Sequence, residues 1–334
     1  MTQKVLEVSN LSTSFHKEKD KLNIVDGISF EIYERESIGI VGESGCGKSL
    51  TALSIMGLIK SPLTIQADTL RFAGQYDLNQ LTRKEYKKIR AVELSMIFQE
   101  PMTALNPVMK IGKQIEEVLK IHTKLNKSER KEEVIRLIQQ VGISRPEEIV
   151  KNYPHQLSGG MRQRIMIAMA IICKPKLLIA DEPTTALDVT IQAQIIDLIK
   201  EIQANNNMAL MLITHDLGVV HESCDRVAVM YAGRIVEIGK VKDVLHNPLH
   251  PYTQGLLASL PTTANGKARL SYIKGNVPRP GNWSKGCRFA DRCPQAMKKC
   301  HEVPPELLTQ ENQTRVACWL YENEVVDIDE NRGS

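Results

Sequence analysis

Gly42-Glu43-Ser44-Gly45-Cys46-Gly47-Lys48-Ser49 fits G-x-x-x-x-G-K-[ST], the pattern of a loop that holds phosphate. Glycines let backbone N–H groups approach phosphate oxygens without side-chain interference. The start of a following helix adds partial positive charge and unpaired donors. Lys48 supplies a full charge to the β- and γ-phosphates, and the Ser49 hydroxyl suits Mg2+. Glu43, Ser44 and Cys46 occupy variable positions, and Leu50 follows in the first helical turn, so Gly42 to Leu50 is the expected nucleotide-contact run. Farther along, Asp181-Glu182 closes an apolar run. The first carboxylate can reach a metal held at the neighbouring loop, and the second can orient or deprotonate an attacking water. Without the loop, the same pair would read as a helix cap with an acidic first turn.

A second anion site is written at Leu157-Ser158-Gly159-Gly160-Met161, where Gly159-Gly160 opens a helix predicted to run through Arg164 and Ala168. The two phosphate-binding helix starts lie about 110 residues apart and approach a nucleotide differently. A head-to-tail dimer resolves this, each loop's phosphates meeting the serine and glycines of the other chain. His215 follows the run Leu210 to Thr214, and Gln99 follows Leu94 to Phe98. If those strands are neighbours, His215 can hold the water–glutamate geometry and Gln99 can touch both metal and water.

The elements that position these residues are legible from apolar patterning. Residues 4–41 read as short strands, with Ile28 to Ile32 alternating and Ser37 to Val41 running apolar into the glycine loop. Lys48 to Ile59 reads as a helix, and Leu94 to Phe98 and Leu177 to Asp181 as buried strands. Lys110 to Gln140 has helical spacing, a helical insertion in an α/β core. Ile191 to Ile202 reads as a helix and Ala209 to Thr214 as a strand. Val227 to Met230 and Arg234 to Ile238, turning at Ala232-Gly233, are expected to finish the sheet. Near His246-Asn247-Pro248 the composition shifts: eight prolines fall from 248 to 305, and periodicity fades. A boundary is expected at about 245, with a loop-rich appendage over 246–320 and an acidic, mobile tail over 321–334.

The chain has 334 residues, 42% of them apolar, enough for a core and against wholesale disorder. Its longest apolar run, Ile165 to Cys173, is far short of the roughly 20 residues of a membrane span. The start of the chain shows no signal-peptide core, so a cytosolic protein is expected unless something holds it at a membrane. A net charge of +4 argues against nucleic acid as a partner. The basic residues between Lys110 and Arg136 are interleaved with Glu and read as a solvated helix face. Of seven cysteines, Cys46, Cys173 and Cys224 are scattered, while Cys287, Cys293, Cys300 and Cys318 cluster. Their spacing lacks the paired C-x-x-C of common zinc ribbons, and iron–sulfur, zinc and four free thiols all remain open from it.

In order and spacing, residues 10–240 resemble the ATP-binding subunit of an ABC transporter. The resemblance implies an α/β fold: an ABC-type P-loop ATPase domain over 1–245, with a RecA-like core, an antiparallel β subdomain and an α-helical subdomain at about 100–172. By the same resemblance, residues 42–49 are the Walker A loop, Gln99 the Q-loop glutamine, and Leu157 to Gln163 the signature motif. Leu178 to Glu182 is Walker B with its catalytic glutamate, Ala186-Leu187-Asp188 the D-loop, and His215 the switch histidine. Phe15 is the aromatic expected to stack on adenine, although it lies farther before the loop than usual. The ligands implied are ATP and Mg2+, the latter at Ser49, Gln99 and Asp181.

Within ABC proteins the chain is similar to the oligopeptide, dipeptide and nickel importer ATPases. The similarity rests on Gln99 to Pro107, Tyr153-Pro154-His155-Gln156, and His250-Pro251-Tyr252-Thr253 with Leu256-Leu257. It implies pairing with a second ATPase, identical or related, and two membrane permeases fed by an extracellular binding protein. The expected place is the cytoplasmic face of the membrane, the cargo being peptide or, alternatively, nickel or a metal chelate. A soluble ABC protein is a further alternative, but the two cassettes or long coiled coil usual there are missing from this sequence. Gly286-Cys287-Arg288-Phe289, Arg292-Cys293-Pro294 and Cys300 resemble these importers' cysteine motif, with a departure at Ala290-Asp291, where proline is common. That resemblance implies a [4Fe–4S] cluster on Cys287, Cys293, Cys300 and Cys318, with Zn2+ as the alternative.

Overall fold

The computed structural model describes residues 3–17, 20–100, 104–185, 187–259 and 273–322. Two sheets dominate it. The first is antiparallel and has the order β2-β1-β5-β6, with β4 also on β1; it uses β1 (Lys4–Lys17), β2 (Asp20–Tyr33), β4 (Leu63–Gln66), β5 (Thr69–Phe72) and β6 (Tyr76–Asp77). The second has the order β12-β13-β11-β10-β3-β9-β8-β7, where β11 is Arg234–Lys240, β12 Leu308–Thr309 and β13 Arg315–Val316. Its centre consists of β3 (Ser37–Val41), β7 (Leu94–Ile97), β8 (Leu177–Asp181), β9 (Ala209–Ile213) and β10 (Arg226–Tyr231), all paired in parallel. Every residue of β3, β7, β8 and β9 is buried, and their predominantly apolar character suits strands covered on both faces.

Parallel pairing has a direct consequence for function. The residues that follow β3, β7, β8 and β9 all emerge at one edge, the carboxyl edge where open α/β sheets hold ligands. Gly42 and Glu182 directly follow β3 and β8, and Gln99 and His215 lie two residues beyond β7 and β9. The Glu182 N–H donates to the Ile213 carbonyl and the Thr214 N–H to the Ile40 carbonyl, extending the ladder one step beyond the strands.

The sequence expectations hold for β3, β7 to β11 and the helix after the glycine loop. That helix, Lys48–Ile55, stops short of the predicted Ile59 because Gly57 turns left-handed at φ +60°, where a Cβ would lie 2.5 Å from the Tyr86 ring. The helical insertion resolves into Ile111–His122 and Lys127–Gln140, the second opened by an Asn126/Glu129 capping box. Residues 4–41 are not short strands. β1 and β2 run 14 residues each, and register shifts such as that between Val8 and Leu11 let so long a hairpin curve.

Nor does the sheet finish at β11 (Arg234–Lys240). β13 (Arg315–Val316) pairs with it and β12 (Leu308–Thr309) pairs with β13, both too short to carry a period-2 pattern. The loop-rich region is also docked through a core of its own, in which Tyr231, Tyr252 and Phe289 pack edge-on with centroids 4.6 and 5.2 Å from Tyr231. The expected acidic tail lies largely outside the described residues.

Candidate active site

The glycine loop folds tightly against β10. A Cβ on Gly42 would lie 2.2 Å from the Met230 carbonyl oxygen, so no other residue type fits there. Ser44 and Gly45 are exposed at the mouth of the loop, and the Cys46 side chain is buried beneath it, away from any ligand role. Lys48 is buried and donates to the carbonyls of Gly42 (2.8 Å) and Glu43 (3.1 Å). Its ammonium therefore curls back into the cradle, where an incoming phosphate would replace those two carbonyls.

Ser49 Oγ donates to Asp181 Oδ1 at 2.9 Å. Burial pushes the Asp181 carboxyl up from the usual range; the Ser49 hydrogen bond opposes this and the neighbouring Glu182 charge adds to it. A hydroxyl and a buried carboxylate short of positive charge are hard oxygen donors of the kind Mg2+ takes. The residues present thus fit the metal, with Ser49 and Asp181 as its holders.

Glu182 sits at the crossing of three elements. Its Oε2 accepts from Gln99 Nε2 (3.1 Å) and from Thr185 Oγ1 (2.9 Å), and its Oε1 is 3.6 Å from His215 Nδ1. The backbone of Glu182 is left-handed, φ +44°, uncommon for glutamate and a mark of a residue over-determined by its surroundings. Gln99, Asp181, Glu182, His215, Lys48 and Ser49 therefore meet in one place from four separate stretches of chain. Thr185 was missed by sequence reasoning. Its signal was the i+3 spacing of a hydroxyl behind the carboxylate, too common to single out.

Ser158 caps the helix Gly159–Ile171, its hydroxyl accepting from the Met161 N–H at 3.3 Å. Gly159 faces Leu187 and Gly160 faces Ile191, so this segment lies beside the turn that follows Glu182. Phe15 is half-buried on β1, in register with Leu22 on one side and Leu63 on the other.

The cluster expectation for the four C-terminal cysteines is overturned. Among the described residues, no group of three or more His, Cys, Asp or Glu side chains is placed to hold a metal ion. Cys287, Cys293, Cys300 and Cys318 are free and line one enclosed space with Phe289 and Trp319. Its free volume is about 10 Å³, room for about one water. Burial pushes the Cys287 and Cys318 thiols up to about 11. Cys287 and Cys293 pack against the aromatic core.

The ABC transporter family profile matches residues 25–185, and the profile of the oligopeptide/dipeptide transporter C-terminal region matches 236–300. The oligopeptide transport ATP-binding protein AppD of Bacillus subtilis is 54% identical over 320 residues, 96% of this chain and 98% of its own length. The dipeptide transport ATP-binding protein DppD of Escherichia coli is 51% identical over 303 residues, 91% and 92% of the two chains. Among solved structures, cbiO1 from Clostridium perfringens, part of an ABC transporter complex, superposes with TM-score 0.61 at 27% identity, covering 73% of this chain and 91% of its own. The ATP-binding cassette MJ0796 bound to ADP and Pi gives 0.63 at 24% identity, covering 71% and 98%, a likeness of fold. The chain belongs to the ABC transporter ATP-binding proteins, in the oligopeptide/dipeptide transporter family, and its nucleotide site is that of an ATPase.

Proposed function

We propose that this chain is the ATP-hydrolysing subunit that powers import of oligopeptides or dipeptides through a membrane ABC transporter. The observation that carries the reading is the convergence of Lys48, Ser49 and Asp181 with Gln99, Glu182 and His215. Lys48 and the loop amides hold the phosphates, while Ser49 and Asp181 hold the metal, with Gln99 beside them. Bound Mg2+ supplies charge neutralisation on the phosphate oxygens. Glu182 orients a water and takes its proton, and Gln99, Thr185 and His215 fix the carboxylate in place. Phe15 offers a stacking surface for adenine.

In this proposal the ATPase is one of a pair. Ser158-Gly159-Gly160 completes the site of a second subunit, identical or related, and the pair attaches to the cytoplasmic face of two permeases served by an extracellular binding protein. The ATPase domain extends over 1–245, its helical subdomain over about 100–172, and the appendage over 246–320. Relatives named for oligopeptide and dipeptide transport favour peptide over nickel or a metal chelate. Among the described residues no helix is long and apolar enough to cross a membrane, which suits peripheral attachment. The test is uptake. Cells carrying Lys48→Ala should lose ATP-dependent peptide import and keep nickel import, and the chain should co-purify with permeases. Retained peptide import would refute the reading.

A further inference from the structure

The segments His250-Pro251-Tyr252-Thr253 and Cys287 to Cys293 take no part in hydrolysis as described, yet both reach the phosphate loop. The path begins at Glu237 on β11, a fully buried carboxylate whose oxygens accept from the N–H groups of Leu249 (2.8 Å) and His250 (3.0 Å). His250 in turn caps the next helix, its Nδ1 accepting from the Tyr252 N–H at 3.0 Å. Tyr252 is fully buried, and its hydroxyl accepts from the Glu43 N–H at 3.0 Å. The Glu43 carboxylate is gripped from the other side by Arg292, whose Nη1 donates to Oε1 at 3.0 Å and Nη2 to Oε2 at 3.3 Å. The Arg292 side chain is only 8% exposed, and its Nε and Nη2 also bind the carbonyls of Lys274 and Gly275. A second strut holds the back of the loop. Arg288 bonds the Ala232 carbonyl and Asp26, and the next residue, Gly233, donates to the Cys46 carbonyl at 2.8 Å.

We propose that the C-terminal appendage is a brace that sets the shape of the phosphate loop, with Tyr252 and Arg292 as positioning residues for ATP binding through Glu43. Glu43 lies at a variable position of the loop pattern, where phosphate contact demands no particular side chain. Here both its main chain and its side chain are committed to the appendage instead. The loop's amides can bind phosphate only in one curvature, and two fixed points on Glu43, with a third on Cys46, hold that curvature before nucleotide arrives. Preorganisation of this kind improves affinity by removing the ordering cost from the binding step. The inference rests on the nucleotide site described above.

The test uses the purified full-length chain and a fluorescent non-hydrolysable ATP analogue with Mg2+. Glu43→Gln and Arg292→Gln should each weaken binding roughly ten-fold, and the double variant should be no worse than either, because both remove one charge-assisted pair. Arg292→Lys should recover part of the loss. Tyr252→Phe should weaken binding several-fold and, without nucleotide, speed hydrogen exchange in the peptide spanning residues 42–49 while leaving the melting temperature near the parent's. Glu43→Gln changes only the loop and Tyr252→Phe removes a single oxygen, so neither depends on how well the appendage tolerates loss of Arg292. Unchanged affinity and exchange in these two variants would overturn the brace, as would full additivity in the double variant. A parent that binds no analogue, or a Lys48→Ala chain that binds it normally, would overturn the nucleotide site itself.

Discussion

Glu182 carries two demands that pull on one side chain: it must accept from Gln99 and Thr185 on one oxygen and leave the other free toward His215 and the water it activates. Its left-handed backbone is the means, turning the carboxylate off the end of β8 and across the sheet edge. Replacing it by Gln keeps the shape and removes the base. Turnover should fall by roughly 10²–10⁴-fold with nucleotide binding intact, measured as phosphate release beside analogue affinity; near-normal hydrolysis would take Glu182 out of its role. Thr185→Val leaves the carboxylate in place but loosens one oxygen. Turnover should drop about ten-fold, the size of one lost hydrogen bond, with binding again unchanged. Both experiments separate the residue that does chemistry from the one that aims it.

At the scale of elements, the joint between β11 and the helix Pro251–Ala258 carries a pH-sensitive group. His250 is entirely buried, and burial lowers it from 6.5 to about 3, so it stays neutral in the folded chain. The sign follows from linkage. The unfolded chain takes up a proton near pH 6.5 and the folded one does not, so this group's stability is present above 6.5 and is lost as pH falls toward about 3. At pH 5 the loss is about 2 kcal/mol from this group alone. Asn at position 250 can cap the same N–H without titrating. His250→Asn should therefore narrow the gap between melting temperatures at pH 7.5 and pH 5, and an equal gap in both proteins would count against this account.

The same elements mark what a sequence can and cannot disclose. β3, β7, β8 and β9 were readable because strands buried on both faces are predominantly apolar, and each runs into a residue with chemistry to do within two positions of its end. β4, β5 and β6 were not seen, since half-exposed strands of two to four residues carry too few positions for a period. In the site, Lys48, Ser49, Asp181 and Glu182 were legible from spacing, Gln99 and His215 only once their strands were placed side by side. Thr185 was not legible because a hydroxyl three residues behind a carboxylate is too common a pattern, and Tyr252 and Arg292 because what matters is a contact across up to 249 positions of chain. The cysteines erred the other way. Their resemblance to the importers' cysteine motif implied a metal cluster, whereas aromatic packing and a shared sheet already hold the appendage.

For the whole molecule, the proposed pairing makes each nucleotide site a shared one. The helix opened by Ser158 presents its glycines next to the turn after Glu182, and in that proposal they complete the site of the second subunit. Specific ATPase activity should accordingly climb with chain concentration in a dilution series, as mass action requires of a site built from two subunits. A flat series would mean that each chain hydrolyses ATP alone.

The Arg292–Glu43 pair also limits how the parts of this protein can be exchanged. A cassette is usually treated as an engine to which any C-terminal module can be attached. Here the module carries a guanidinium cut to fit one carboxylate inside the engine's own loop. Transplanting residues 246–322 onto an ATPase with a neutral side chain at that position would bury an arginine without its carboxylate. Transplanting the loop without the module would free its acid beside the phosphates. A working chimaera must carry both halves of the pair, so the two regions are heritable only as a matched set.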